Sequence, residues 1–362
     1  MTAAAPAISL RPRGIGELLD QAIRLYRANF LKFIGIMALV EIPVGVLQIL
    51  SSTLMLSGMV NWTSSFTTNP GAVPSLNNMA QLMGGAGVSL LVSVLAIFAS
   101  GIGTAALTRA IADGYMGEPV EILGSYRKIG KRWISLIGAL LLTVLLGLGA
   151  FIWFMIPCAG WLTGPGLLIF LALAVTPLLG PIVVLEKAPA AAAIRRAWDL
   201  GRARFWWLMG YLGILTIFSL LVISGPILII NTLVVSPLQR QAMLGGGVTQ
   251  TLLFSTIAQQ ALGVILGVLY RSLQAIAITL AYFDLRMRLE GFDLAVQTLS
   301  PDQSIVEQLS SAPKSPVSPK FINWDDVIHF LLLSLIVMGA YAVLFAGGMA
   351  LGMGASGLSG LQ

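Results

Sequence analysis

Charged residues divide this chain into long apolar blocks. No Asp, Glu, Lys or Arg occurs from Ile42 to Thr108, from Trp133 to Leu185, from Phe205 to Gln239, or from Phe330 to the last residue. About 20 consecutive apolar residues cross the hydrocarbon core of a bilayer, so each block has room for one or two spans. The pattern predicts seven, at roughly 33–56, 87–108, 133–156, 164–185, 206–232, 261–283 and 327–348. In lipid such a segment satisfies its backbone only as a helix. The expected fold is all-α, a polytopic membrane helical bundle.

The basic residues set the expected orientation. Nineteen of the 21 Lys and Arg fall in the N-terminal segment, the 109–132 and 187–204 connections and the 284–326 segment. The alternate connections, near 57–86, 157–163 and 233–260, hold only Arg240. Short cytoplasmic loops carry the excess of Lys and Arg. The N-terminus is therefore expected in the cytoplasm and the C-terminus outside, in a cell (inner) membrane.

A pattern recurs three times on the basic side: a basic helical stretch, an aromatic residue, then Gly five positions later. The aromatic and Gly are Phe30 and Gly35, Trp133 and Gly138, and Phe205 and Gly210; seven positions before each aromatic stand Ile23, Tyr126 and Trp198. This reads as three units, each an amphipathic interface helix followed by a helical hairpin. Such a helix lays its apolar face into the headgroup boundary while its basic residues face water. Those residues are Arg24 and Arg27, then Arg127, Lys128, Lys131 and Arg132, then Arg195, Arg196, Arg202 and Arg204. The expected organisation is a six-span core over 1–298, a flexible cytoplasmic linker rich in Pro and Ser over 299–323, and an appended seventh span within 324–362.

Composition sharpens the picture. Of 362 residues, 57% are hydrophobic and 10% charged, against roughly 25% charged in soluble domains. The net charge of +6 is confined to one side of the spans. It reads as topology plus contact with anionic headgroups, worth about 1 kcal/mol per basic residue at the surface, and no nucleic-acid partner is expected. The single cysteine, Cys158, has no internal disulfide partner. Arg11 and Arg13 lead into an amphipathic stretch, so no cleavable signal peptide is expected.

Candidate chemistry is sparse. The one histidine, His329, follows Trp324, Asp325 and Asp326 at the mouth of the last span. It is either an interfacial polar residue or a contact to a pigment or partner. No zinc site of the Cys/His kind and no phosphate loop is present; no catalytic residue, metal or cofactor is expected. Two charges stand inside spans: Glu41, followed by Pro43, and Arg271. Intramembrane charges generally face the bundle interior and pair, so Glu41 and Arg271 are predicted to form an ion pair, with Gln274 as a polar neighbour. Pro43, Pro177, Pro181 and Pro226 lie in or beside spans, where proline bends a helix or marks the broken helices of a binding site. Small residues spaced for close packing include Ala96, Ser100 and Thr104, Ala99 and Gly103, Gly263 and Gly267, and Gly348 and Gly352. The outer connections, with Trp62, Phe66 and Met79, offer a partner surface or lie on the bilayer.

Two segments resemble a known family. The opening Arg11-Pro12-Arg13-Gly14-Ile15-Gly16-Glu17-Leu18-Leu19-Asp20, with Tyr26-Arg27, is similar to the start of the glycerophosphoryl diester phosphodiesterase membrane-domain-like proteins. Ala281-Tyr282-Phe283-Asp284-Leu285-Arg286-Met287-Arg288-Leu289-Glu290-Gly291-Phe292-Asp293 is similar to their ending. The resemblance covers about residues 10–295. It implies a membrane domain without the catalytic domain that gives the family its name, since that domain needs several metal-binding acids and histidines. Stand-alone members are mostly of unknown function, so no site residues carry over.

Two functions are compatible with this reading. One is a non-catalytic membrane subunit, a scaffold, assembly factor or accessory component among other membrane proteins. The other is a transporter or lipid-handling protein using Glu41 and Arg271. A membrane-embedded enzyme is not expected, because no acid, base and nucleophile converge at one depth. A water-accessible cavity reaching Glu41 favours the second function; a dry interior favours the first.

Overall fold

A computed structural model describes residues 11–68, 75–245, 248–297, 314 and 320–359. Among these the chain is helical, with no strand. The helices are α1 (Ile15–Ala28), α2 (Phe30–Thr68), α3 (Leu76–Tyr115), α4 (Ile122–Ile129), α5 (Arg132–Phe154), α6 (Ala159–Phe170), α7 (Thr176–Leu185), α8 (Ala190–Ala203), α9 (Phe205–Ser219), α10 (Gly225–Ile230), α11 (Ser236–Gly245), α12 (Val248–Glu290), α13 (Phe292–Gln297) and α14 (Trp324–Ser359). π-Helical turns join α6 to α7, α9 to α10 and α10 to α11. Seven of the resulting helices are long and apolar enough to cross a membrane, and they begin at Phe30, Leu76, Arg132, Ala159, Phe205, Thr249 and Trp324. This fits a multi-pass membrane protein.

Two expected outer connections are corrected. Much of the 57–86 stretch is helical: α2 runs on to Thr68 and α3 starts at Leu76. At about 1.5 Å per residue, the 39 residues of α2 cover about 58 Å, against about 30 Å of hydrocarbon. Glycine lets the two extensions touch. A Cβ on Gly85 would lie 2.9 Å from the Cα of Met55, and one on Gly58 would lie 3.1 Å from the carbonyl oxygen of Gln81. The 233–260 stretch is likewise mostly helical, in α11 and the start of α12.

The prolines in span four are accommodated by a wider turn. Pro177 has no amide to return to the preceding turn. The π-helical turn Leu171–Val175 stands just before it, and Thr176 Oγ1 donates to the Leu171 carbonyl at 2.8 Å. Pro226 sits between two further π-helical turns.

Three short amphipathic helices precede spans. α1 ends at Ala28, α4 at Ile129 before Gly130 with φ +55°, and α8 at Ala203. The next spanning helix starts at Phe30, Arg132 or Phe205. Gly130 supplies a left-handed turn that favours glycine. Two of the expected glycines are contact points: a Cβ on Gly35 would lie 2.8 Å from Ile122 in α4, and one on Gly138 would lie 3.3 Å from Ala190 in α8. Gly210 has open space around it. The residues seven before each aromatic are not equivalent: Ile23 is exposed and Trp198 buried, while Tyr126 is part-buried and donates to the Ile36 carbonyl at 2.7 Å.

α14 packs against α6. It crosses α6 so closely that a Cβ on Gly166 would lie 2.0 Å from the carbonyl oxygen of Phe330. The Gly166 amide donates to Ser334 Oγ at 2.7 Å. Phe330 also packs among Phe170, Trp198 and Phe205. Most of the expected 299–323 linker lies outside the described residues.

Candidate intramembrane site

Glu41 stands about three turns into α2, about 16 Å along the axis from Phe30 at ~1.5 Å per residue. Arg271 stands in α12. Arg271 Nη1 donates to Glu41 Oε1 at 2.6 Å, and Ser100 Oγ of α3 donates to the same oxygen at 2.9 Å. The partners differ in access: the Arg271 side chain is 50% exposed, that of Glu41 only 11%. α2 and α12 come together at this level because Gly45 has no side chain, and a Cβ there would lie 2.5 Å from Val264.

A cavity of about 560 Å³ opens over the pair. Its walls come from α2 (Met37, Glu41, Gln48), α3, α5, α7 (Thr176, Pro177, Gly180, Pro181) and α12 (Arg271, Gln274, Thr279). Gln274 thus shares the cavity with the ion pair. Ala96, Ser100 and Thr104 line it too; Ala96 is buried, and a Cβ on Gly103 would lie 3.5 Å from Val40 of α2. A second cavity of about 590 Å³ shares Glu41, Gln48, Ser93 and Arg271 and continues along Ser51, Ser52, Ser89, Gln259 and Gln260. Gly263 and Gly267 line this second cavity. Gly348 and Gly352 lie in helical residues whose surroundings fall outside the described ones. Among the described residues, Glu41 and Arg271 are the only ionisable ones lining either cavity. Both cavities fall within the volume range of small-molecule sites; the first has mainly apolar walls with a few convergent polar groups, and the second is lined largely by Ser and Gln.

The basic residues of the short helices divide into two sets. Arg27, Arg127 and Lys131 are exposed, as expected for residues facing water. Arg24 is exposed and pairs with Asp20, whose carboxyl is held below its usual range by the Arg24 hydrogen bond. Arg132 donates to the Lys187 carbonyl at 3.1 Å. Lys128 reaches Asp113 at 2.8 Å, and Asp113 also accepts from Arg109.

α8 corrects the expectation that its basic residues face headgroups. Arg196 is buried and pairs with Glu186, at 3.2 Å, and with Glu290. Arg195 and Arg202 bond the Lys320 carbonyl, Arg202 also pairs with Asp199 and Asp326, and the Arg195 guanidinium lies 4.9 Å over Phe321. Arg204 lies 5.4 Å over the ring of Trp207. The physical reason is cover: the segment entering α14 lies on Arg195 and Arg202, and the carboxylates of Glu186 and Glu290 hold Arg196.

Sequence reasoning did not find the buried network of which Arg196 is part. Tyr282 Oη donates to Glu186 Oε1 at 2.9 Å, Arg286 Nε bonds Glu290 at 2.8 Å, and Lys314 comes within 3.8 Å of Glu186. Nearby, Asp284 accepts from the Arg13 amide at 2.7 Å and from Arg288 at 2.8 Å.

His329 stacks on Phe205 at 4.6 Å and meets the edge of Trp206 at 5.8 Å. Its Nδ1 has no hydrogen-bond partner among the described residues. Among those residues no three His, Cys, Asp or Glu side chains are grouped to hold a metal. Outside the spans, burial raises the Tyr26 hydroxyl pKa and pushes that of Tyr126 up to about 12.

Searches against protein-family models, curated proteins and solved structures find no match to this chain.

Proposed function

We propose that this protein handles an amphipathic ligand, as a transporter or lipid-handling protein, at the mid-membrane Glu41–Arg271 site. The observation that carries this reading is the cavity of about 560 Å³ that reaches the ion pair. A pair that only fastened α2 to α12 would need no space beside it, and an ion pair buried without function is weak evidence of stabilisation. Here the walls are apolar enough for a hydrocarbon tail, and hydroxyl and amide groups flank the charges. Pro177 and Pro181 on the wall fit the bent helices that border transport sites.

The basic side is proposed to be cytoplasmic, with the first six spans forming three units of interface helix plus hairpin. Support comes from the junctions. The end of one hairpin meets the next short helix through Asp113 and Lys128, then through Glu186 and Arg196. The end of the third returns to the N-terminal segment through Asp284 and the Arg13 amide. That last contact joins the two segments on which the resemblance to the membrane-domain-like family rests.

A second reading, an accessory subunit of a larger membrane complex, is favoured by the α2–α3 hairpin. It exceeds bilayer length and leaves Met59, Leu76, Met79 and Met83 exposed.

The test is to purify the protein in nanodiscs, extract it and identify bound amphiphiles by mass spectrometry. The ligand-handling reading expects one amphiphile class enriched over bulk lipid and depleted in Arg271→Gln. Bulk lipid composition in both samples contradicts it.

A further inference from the structure

We infer that the Glu41–Arg271 site binds an amphiphile with an anionic oxyacid head through Arg271, and that Glu41 takes up a proton as it does so. The inference rests on the ligand-handling reading above.

The sign of the ligand follows from access. Glu41 is shielded, and its Oε1 is already engaged by two donors, Arg271 Nη1 and Ser100 Oγ. Arg271 has half of its side chain open, and both cavities reach it. Gly267, one turn before it, has only Arg271 Nε at 4.0 Å from its notional Cβ, so the flank of the guanidinium is not covered by a neighbouring side chain. A planar guanidinium presents paired donors that match an oxyanion. The charge open to an incoming head is therefore positive. The mostly apolar walls take the tail, which is why an amphiphile is expected rather than a free anion.

The proton follows from charge balance. With the site empty, Glu41 and Arg271 sum to zero. An anionic head at Arg271 beside ionised Glu41 leaves one net negative charge next to a carboxylate that is largely shielded from water, which is costly. No other described residue lining the cavities carries a compensating charge. α2 contributes Gln48, α3 contributes Ser93, Ser100, Thr104 and Thr108, α7 contributes Thr176, and α12 contributes Gln274 and Thr279, none of them ionisable near neutral pH. Protonating Glu41 restores neutrality. In the step, the Glu41–Arg271 ion pair breaks, an oxyanion–Arg271 pair forms, and one proton passes from water to the Glu41 carboxylate. Release reverses each change.

The test uses full-length protein in phosphatidylcholine nanodiscs. Three probes separate the possibilities: lysophosphatidylglycerol, a single-chain lipid whose phosphodiester stays singly charged near neutral pH; lysophosphatidylcholine, its zwitterionic counterpart; and glycerophosphoglycerol, the same diester head without a chain. The expected result is tight binding of the first alone. Its Kd should weaken about tenfold per pH unit where one proton is linked to binding, and calorimetry in two buffers of different ionisation heat should give about one proton taken up. Arg271→Gln should weaken binding more than about tenfold, the loss of a charged partner, and Glu41→Gln should bind with no proton uptake and a flat pH profile. Binding of lysophosphatidylglycerol to the unaltered protein without proton uptake overturns the inference and leaves the ligand-handling reading standing. Equal binding of lysophosphatidylcholine overturns the anionic assignment, and equal binding of glycerophosphoglycerol overturns the amphiphile. Binding of none of the three overturns the reading itself. The unaltered protein alone decides the proton, so a failure of Glu41→Gln to fold does not block the test.

Discussion

The Gly166 amide donates to Ser334 Oγ at 2.7 Å, at a crossing where α6 and α14 meet backbone to backbone. The carbonyl of Phe330 occupies the space a side chain at 166 would need. A backbone obstacle cannot rotate away, so Gly166→Ala should destabilise the protein by about 1–3 kcal/mol or more. Ser334→Ala, which removes only the hydroxyl, should cost about 1 kcal/mol. Thermal unfolding in nanodiscs measures both; equal, near-zero effects would show that α14 does not dock on α6.

Glu186 holds the second junction on the basic side, bonded to Arg196 and to Tyr282. Removing one member of a buried charged network leaves its partners without compensation, at roughly 3–5 kcal/mol. Glu186→Ala should therefore unfold at far lower temperature than Asp20→Ala, whose carboxylate is exposed. A double-mutant cycle of Glu186 with Arg196 should give a coupling well above zero; additivity would break the proposed contact.

Tyr126 makes the contact between α4 and α2 testable by pH. Its hydroxyl donates to the Ile36 carbonyl, and burial raises its pKa to about 12, above the unfolded value of about 10. A group whose folded pKa is raised stabilises the fold fully below the unfolded pKa and loses that contribution as pH rises through the folded one. Tyrosinate absorbance at 295 nm assigned by difference with Tyr126→Phe should thus appear only near pH 12, and stability should fall between about pH 10 and 12. Titration near pH 10 would mean the hydroxyl faces water.

How much of this was legible in the sequence varies by feature, and the reasons are physical. The seven spans could be read because charge is forbidden in lipid and the blocks without it are long. Glu41 and Arg271 could be read for the same reason: each is a lone charge in an apolar run. The Glu186–Arg196–Glu290 network could not. Those residues stand among many charges, and nothing local signals that Glu186 and Glu290, far apart in the chain, share one guanidinium. The helical extensions past residues 56 and before 87 were hidden because Asn, Ser, Thr and Gly, without charge, read equally as loop. Docking of α14 turns on Gly166, one glycine among 39. The cavity was invisible because empty space has no residue to mark it.

The ion pair itself predicts a pattern of tolerance. Glu41→Arg and Arg271→Glu each place two like charges in the membrane and should abolish folding or cell-surface yield. The double swap should recover most of it, since the pair is restored. A double variant no better than the singles would show that the two residues do not depend on one another.

The most direct measurement is whether water reaches the pair. Cys158 is the single cysteine and holds φ +65°, so Cys158→Gly gives a cysteine-free background without backbone strain. In it, Gln274→Cys, on the cavity wall, should react with a small charged thiol reagent and be protected by bound amphiphile. Leu145→Cys, exposed on the outer face of α5, should stay inert because lipid covers it. Inert Gln274→Cys in folded protein would mean a dry interior, and the intramembrane site proposed here would not exist.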